Sequence, residues 1–333
     1  IGQSKKGMGL NFLSGAGMKR NFFNQNFYGI REIGTYIPEK RIDNTLKKEK
    51  FGFKESFLED KIGVFKTSLK DDNEDCSDMC VKAFNDLVSK IPIEKNEIEV
   101  IIVVTQNPDD RMPHSGALVH KKLGMGVNCA SFDISLGCSG FIYGLSVITS
   151  FMKANNMKKG ILFTSDPYSK IIDPDDRNTT LLFGDGATAT LITNDDPVLI
   201  PGKFSFGTLG EKWEEIRLIN DKLFMNGAAV VKFVKRYVPD DIRKNIADNG
   251  YNLENIDRFV LHQASKFMVD IVAEDLGANP SKVPFDIRNY GNTVSSSIPL
   301  VLEKELHNKE NKTFLISGFG IGLSYGSCVL KRI

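Results

Sequence analysis

Net charge is nearly missing from this 333-residue chain: 43 Lys and Arg face 42 Asp and Glu, leaving +1 at neutral pH. Such a balance gives no field to attract nucleic acid or an anionic membrane surface, so neither is an expected partner. Long apolar runs are missing as well. The longest, around residues 141–152, is interrupted by Ser and Gly and falls well short of a bilayer span. Cysteine is scarce, odd in number and dispersed: Cys76, Cys80, Cys129, Cys138 and Cys328. That pattern argues against a disulfide framework and suits reduced thiols in the cytoplasm. Cys76 and Cys80 stand four apart on an expected helix, but no second Cys or His pair lies near them, so a metal site is not expected. Of the four histidines, His114, His120 and His307 fall on polar or helical segments and read as structural, which leaves His262.

What is present is ordinary for a globular protein: 41% hydrophobic and 26% charged residues. The length suits two domains or one large duplicated α/β unit. Residues 1–17 are rich in Gly, Ser and Lys and do not start with Met. They are expected to include vector-derived sequence, with Met18 as the native start, and residues 1–26 are set apart as an extension. Strands are expected over 29–37, 98–105, 160–165 and 188–193, and helices over 75–90 and 113–123.

The stretch from Ser131 to Leu145 draws attention. Phe132 and Ile134 form a short apolar strand that enters a Gly137-Cys-Ser-Gly140 elbow, and a helix follows through Phe141 and Leu145. This places Cys138 at a helix N-terminus, where unpaired N–H groups and the helix dipole favour a thiolate, the nucleophilic form of cysteine. The plain alternative is a small core residue, which most free cysteines are.

The pattern then returns. Leu276-Gly277 repeats Leu123-Gly124 at an offset of 153 (276 − 123), and Phe285-Asp-Ile287 repeats Phe132-Asp-Ile134 at the same offset (285 − 132). Lys312-Thr-Phe-Leu-Ile316 repeats Lys159-Gly-Ile-Leu-Phe163, again at 153 (312 − 159), and Ile256–Leu261 echoes Ile98–Val103. Three matches in one register indicate two copies of a strand–helix unit, spanning 27–195 and 196–333, with a seam at 197–210. The expected fold is a duplicated, layered α/β sandwich with two helix-covered sheets. Strands ending at His262 and near Asn292 would put both residues, like Cys138, just past the carboxyl ends of strands, where open α/β sheets bind ligands. Cys beside His supports covalent chemistry on an acyl group, and Asn with His supplies hydrogen bonds to an oxygen that gains charge. Taken singly, His262 reads as a structural hydrogen-bonder and Asn292 as a turn residue. The glycine cluster 317–326 lets backbone N–H groups approach a ligand, here as an oxyanion hole joining the Ile321 and Cys138 N–H groups; a structural crossover is the alternative.

Gly137-Cys-Ser-Gly-Phe141, Asp173-Pro-Asp-Asp-Arg177, Phe183-Gly-Asp-Gly-Ala187, His262-Gln-Ala264, Gly291-Asn-Thr293 with Ser297-Ile-Pro299, and the cluster 318–326 occur in that order. Together they resemble the 3-oxoacyl-acyl-carrier-protein synthase III family, over about residues 29–333. The resemblance implies the thiolase fold, a homodimer, and no metal or redox cofactor. It implies that Cys138 takes an acyl group from acyl-CoA, and that His262 and Asn292 stabilise the enolate left when malonyl-acyl carrier protein loses carbon dioxide. Among substrate-binding positions it implies Met112 for an acyl-pocket Phe reaching over from the partner. Phe57 stands in place of an adenine-stacking Trp, opposite Arg177. Lys61 replaces an Arg, and Ala228 after Gly227 replaces an Asn. Phe267 and Glu274-Asp275 replace basic residues of the carrier-docking helix, which suggests a dedicated carrier or acceptor in a secondary pathway. Acyl transfer from Cys138 to an oxygen or nitrogen nucleophile is the nearest rival reading. A cysteine hydrolase is further off, because the duplication and the Gly-Ser-Gly-Phe frame of Cys138 do not suit one.

Overall fold

The computed structural model describes residues 27–333, so the expectations for residues 1–26 lie outside the described residues. The first half opens with β1 (Gly29–Tyr36) and an excursion through β2 (Arg41–Asp43), α1 (Lys48–Phe51) and β3 (Lys66–Ser68). It continues with α2 (Cys76–Lys90), β4 (Val100–Val104), α3 (Ser115–Leu123), β5 (Ala130–Ile134), α4 (Gly140–Ala154) and β6 (Lys159–Ser165). A single turn, α5 (Arg177–Thr180), precedes β7 (Ala187–Thr193). The second half runs β8 (Leu199–Thr208), β9 (Ile216–Ile219), β10 (Lys222–Met225), α6 (Gly227–Asp248), β11 (Arg258–Leu261) and α7 (Lys266–Leu276). It ends with α8 (Ser297–Leu306), β12 (Thr313–Gly320) and β13 (Ser324–Arg332).

Local chemistry explains the boundaries. Asp75 and Asp78 form a reciprocal capping box that starts α2. The repeated Leu-Gly pairs are helix C-caps: Gly124 and Gly277 end α3 and α7 at φ of 65° and 67°, the left-handed region that glycine enters without a Cβ clash. Strand pairing repeats too. β4 pairs parallel with β6, β6 antiparallel with β7, and β7 antiparallel with β1; β11, β12, β13 and β8 pair in the same sequence of senses.

The two expected layers are the two arms of one nine-stranded sheet, and β2 with β3 and β9 with β10 form two further two-stranded pairs among the described residues. The order of the large sheet is β11-β12-β13-β8-β1-β7-β6-β4-β5, but the two arms meet only at Ile30 and Leu199. The sheet folds back at this seam, and both arms pack on α4 and α8. β4 records the layering: Val100, Ile102 and Val104 join the central cluster with Phe141, Ile298 and Phe314, while Ile101 and Val103 face α2 and α3. The helices α6 and α7 cover the other arm through Val234, Phe259 and Leu315. The result is the α-β-α-β-α layering of the thiolase fold.

Two local expectations are corrected. Residues 199–208 of the expected seam are themselves strand β8, paired along β13. The segment around Phe285 is not a strand, so among the described residues β11 has no neighbour on that side and β5 has no counterpart. Pro284 brings no N–H to a ladder. The Gln263 side chain makes the bonds instead, donating to the Pro284 carbonyl at 3.2 Å and accepting from the Asp286 N–H at 3.0 Å.

Candidate active site

Cys138, His262 and Asn292 come from three separate loops and line the buried end of one cavity of about 560 Å³. Cys138 sits two residues before α4, with Ser139 as N-cap. The glycine cluster reaches it as the end of a hairpin rather than as a free loop: Gly318 pairs with Gly326 and Gly320 with Ser324. Ile321 is in the turn, so its N–H is spared for the sulfur. Ser324 Oγ fixes this turn, accepting a 2.7 Å bond from Ser139 Oγ and donating to the Ile321 carbonyl at 2.9 Å. A Cβ added at Gly320 would lie 2.7 Å from both Cβ and Sγ of Cys138. Gly320→Ala is therefore expected to slow acylation of Cys138 by at least about tenfold, because a small displacement of a reacting atom is costly. Time-resolved intact-protein mass spectrometry checks this; an unchanged acylation rate would contradict the packing argument.

Burial pushes the Cys138 thiol up to about 12, against the N–H groups of Ile321 and Cys138 that pull it down; the Asp166 charge adds to the rise. The expected resting thiolate is thus corrected. Desolvation outweighs the elbow's N–H groups, and the thiol stays protonated until a substrate arrives.

His262 follows β11 and is 1% exposed. Its Nδ1 lies 2.6 Å from Ser297 Oγ, which also accepts the Gln263 N–H at 3.3 Å. With no other acceptor for the Ser297 hydroxyl among the described residues, its proton points to Nδ1, so that the hydroxyl is not left unpaired. Nε2 then carries the imidazole proton. Burial lowers the His262 pKa to about 3, so the ring is neutral at working pH. The rate of any step that uses Nε2–H is expected to show no inflection near 6.5, the ordinary histidine value, and a pH–rate profile from 5 to 8 checks this. The same shift implies that stability declines as pH falls from 6.5 toward 3, where the unfolded chain binds the extra proton.

Asn292 lies in a turn between Gly291 and the 3₁₀ segment before α8. Its Oδ1 accepts the Val294 N–H at 2.8 Å, and its Nδ2 donates to the Ala264 carbonyl at 3.5 Å; Asn292 and Ala264 both line the cavity. The turn is clamped by the first half: Asn292 N–H donates to the Leu182 carbonyl at 2.8 Å, and Gly184 N–H donates to the Asn292 carbonyl at 3.0 Å. Gly184 is indispensable here, since a Cβ on it would lie 1.8 Å from the Tyr290 carbonyl.

The run Ser295-Ser-Ser297, of which the sequence motifs include only Ser297, ties the site together. Ser295 Oγ donates to Asp166, Ser296 Oγ donates to the Thr164 carbonyl at 3.1 Å, and Ser297 holds His262. Asp166 also takes the Gln106 N–H at 2.7 Å, and burial raises its carboxyl to about 6.

The remaining sequence candidates divide. Ile321 and Gly227 line the cavity, Gly227 at its exposed mouth with Lys61. Phe57 and Arg177 pack on each other outside the lining, 5.2 Å from guanidinium carbon to ring centroid. Met112 is 87% exposed and does not line the cavity. Lys61 sits over the Phe267 ring at 4.0 Å.

A cysteine at a helix start beside a neutral His and a cavity-lining Asn, on a duplicated five-layer sandwich, defines an acyl-transferring enzyme of the thiolase fold. Family models agree: residues 132–210 match 3-oxoacyl-[acyl-carrier-protein] synthase III and residues 246–332 match its C-terminal part. The chain is 32% identical over 323 residues to a β-ketoacyl-[acyl-carrier-protein] synthase III of Clostridium acetobutylicum, covering 92% of this chain and 99% of that one. Its structure superposes on the Thermus thermophilus β-ketoacyl-[acyl carrier protein] synthase III with a TM-score of 0.85 at 29% identity, covering 92% and 99% of the two chains. This chain belongs to the 3-oxoacyl-[acyl-carrier-protein] synthase III family, and it is a condensing acyltransferase of that type.

Proposed function

We propose that Cys138 takes an acyl group from an acyl-CoA thioester and that the enzyme condenses it with a malonyl thioester. The observation that carries this reading is the meeting of Cys138, His262 and Asn292 at the closed end of a single cavity. The Cys138 sulfur attacks the acyl carbonyl, its S–H bond breaks, and the departing CoA sulfur takes up the proton. The Cys138 and Ile321 N–H groups hold the oxyanion of this step. The malonyl thioester then enters; its carbon–carboxylate bond breaks and carbon dioxide leaves. His262 Nε2–H and Asn292 Nδ2 hydrogen-bond the thioester oxygen as it becomes an enolate. The enolate carbon attacks the acyl-Cys138 carbonyl, the new carbon–carbon bond forms, and the sulfur leaves as a thiolate that is reprotonated from solvent. None of these steps calls on a metal or redox cofactor.

Outside the reacting centre, the pantetheine arm passes Gly227 at the N-terminus of α6, and Lys61 serves a phosphate as a point charge. Adenine stacks between Phe57 and Arg177. A planar base in contact with both needs about 7 Å between them, so the pair must part by about 2 Å. A second copy of the chain pairs along the open edge of β5 and brings its Met112 to the acyl site. Five free cysteines suit a reducing compartment such as the cytoplasm. The carrier is a malonyl-acyl carrier protein, or a dedicated carrier fitted to a docking helix on which Asp270 pairs with Lys266 and Asp275 with Arg243.

The test is intact-protein mass spectrometry after incubation with a panel of acyl-CoAs, followed by malonyl-acyl carrier protein. An adduct that discharges as a 3-oxoacyl thioester is the expected result. An adduct that ignores the malonyl carrier and discharges onto an alcohol or amine would move the enzyme to acyl transfer without condensation.

A further inference from the structure

One buried ionisable group beside the nucleophile has no task in the condensation mechanism. Asp166 follows β6, is 0% exposed, and is held by N–H and O–H groups rather than by a cation. Its Oδ1 takes the Gln106 N–H at 2.7 Å, and its Oδ2 takes the Ser295 hydroxyl. Both partners press on the elbow, one on each side of Cys138. Gln106 Oε1 fills the space a Cβ on Gly137 would need, and Ser295 Cβ lies 3.6 Å from the position of a Cβ on Gly140. The carboxylate stands behind both, and its charge opposes negative charge on the Cys138 sulfur.

Nothing packed around Asp166 cancels that charge. Tyr168 is a neutral phenol raised by burial, and Cys76 donates its S–H to the Ser165 carbonyl at 3.4 Å. Lys170 is tied to Asp75 at 2.9 Å and to the Pro108 carbonyl at 2.8 Å. Asp185 takes the Lys70 and Ser169 N–H groups, and Asp109 takes the Ser77 and Ser115 hydroxyls. His262 is neutral. Burial raises the Asp166 carboxyl to about 6, so its charge is present above that pH and lost below it.

We infer that Asp166 is a positioning residue of the acylation step: it holds the elbow through Gln106 and Ser295, and its negative charge keeps Cys138 a thiol until an acyl thioester reaches the Cys138 and Ile321 N–H groups. This rests on the acyl-Cys138 reading above. The experiment follows alkylation of Cys138 by iodoacetamide, a neutral reagent, and acylation by acetyl-CoA, from pH 5 to pH 8. Intact-protein mass spectrometry with peptide mapping reads both. In alkylation the sulfur displaces iodide and the thiol proton goes to buffer, so the rate reports the thiolate.

Asp166→Asn keeps the Gln106 bond and reverses the Ser295 bond, which removes the charge with little change of shape. Its alkylation rate is expected to match the wild type at pH 5 and to exceed it at least about threefold at pH 8. A lower thiol pKa raises the thiolate fraction more than it softens the sulfur. Acylation by acetyl-CoA is expected to show the same pH-dependent gain. Ser295→Ala, which removes a bond to the ionised carboxyl, is expected to move the pH at which the rates part upward by at least about half a unit. Should Asp166→Asn fail to fold, the wild type still decides: its alkylation rate is expected to climb less steeply near pH 6 than on either side. An even climb through pH 6, or a variant-to-wild-type ratio that is the same at every pH, would overturn the inference. Alkylation as expected with no acyl adduct on the wild type would instead strike the acyl-Cys138 reading, and the acylation role with it.

Discussion

Cys138→Ala is expected to leave no covalent acyl adduct with any acyl-CoA and no condensation product. The other four cysteines offer no substitute: none lines the cavity, and burial raises the Cys80, Cys129 and Cys328 thiols. The alanine methyl fits the space of the thiol, so the elbow and α4 should fold as before. His262 and Asn292 remain in place, and slow decarboxylation of the malonyl thioester is expected to persist without an acyl acceptor. Peptide mapping after incubation checks the first point, and carbon dioxide release checks the second. An acyl group still bound to the variant would remove Cys138 from the mechanism.

The second large effect separates the two half-reactions. Asn292→Asp or His262→Ala is expected to lower malonyl decarboxylation by about 10² to 10³, the usual cost of losing a donor aimed at a developing oxyanion. Acylation of Cys138 is expected to change far less, since the Cys138 and Ile321 N–H groups serve that step. Asn292→Asp is the sharper variant. The Val294 N–H holds Oδ1, so the aspartate would turn its second oxygen, an acceptor, to where the amide N–H₂ had been. It would thus place negative charge against an enolate. Single-turnover acylation beside carbon dioxide release from malonyl-carrier reads both halves on one sample. Equal losses in both would show that the division of labour is wrong.

Much of this was legible in the sequence because the chain states its plan twice. The offset of 153 residues marked the helix caps at Gly124 and Gly277 and paired β6 with β12, and strand–elbow–helix spacing brought out Cys138. Other parts were hidden for physical reasons. Phe285-Asp-Ile287 carries the same letters as Phe132-Asp-Ile134, yet hydrogen bonds from Gln263, a distant side chain, replace strand pairing there. Three consecutive serines look like a turn. Their separate partners, Asp166, Thr164 and His262, come from the far ends of other strands and leave no local pattern. The protonation of Cys138 is not legible there, because a helix start is visible in sequence whereas the depth of burial is not.

The clamp between Gly184 and Asn292 makes the catalytic amide a gauge of how firmly the two halves are seated on each other. Its backbone is held by carbonyl and N–H groups from residues more than a hundred positions earlier in the chain. Under rising denaturant, turnover should therefore fade as soon as this seam loosens, while each arm still retains its helices and strands. Activity would then be lost ahead of far-ultraviolet ellipticity, and the interval between the two curves would measure the strength of the seam.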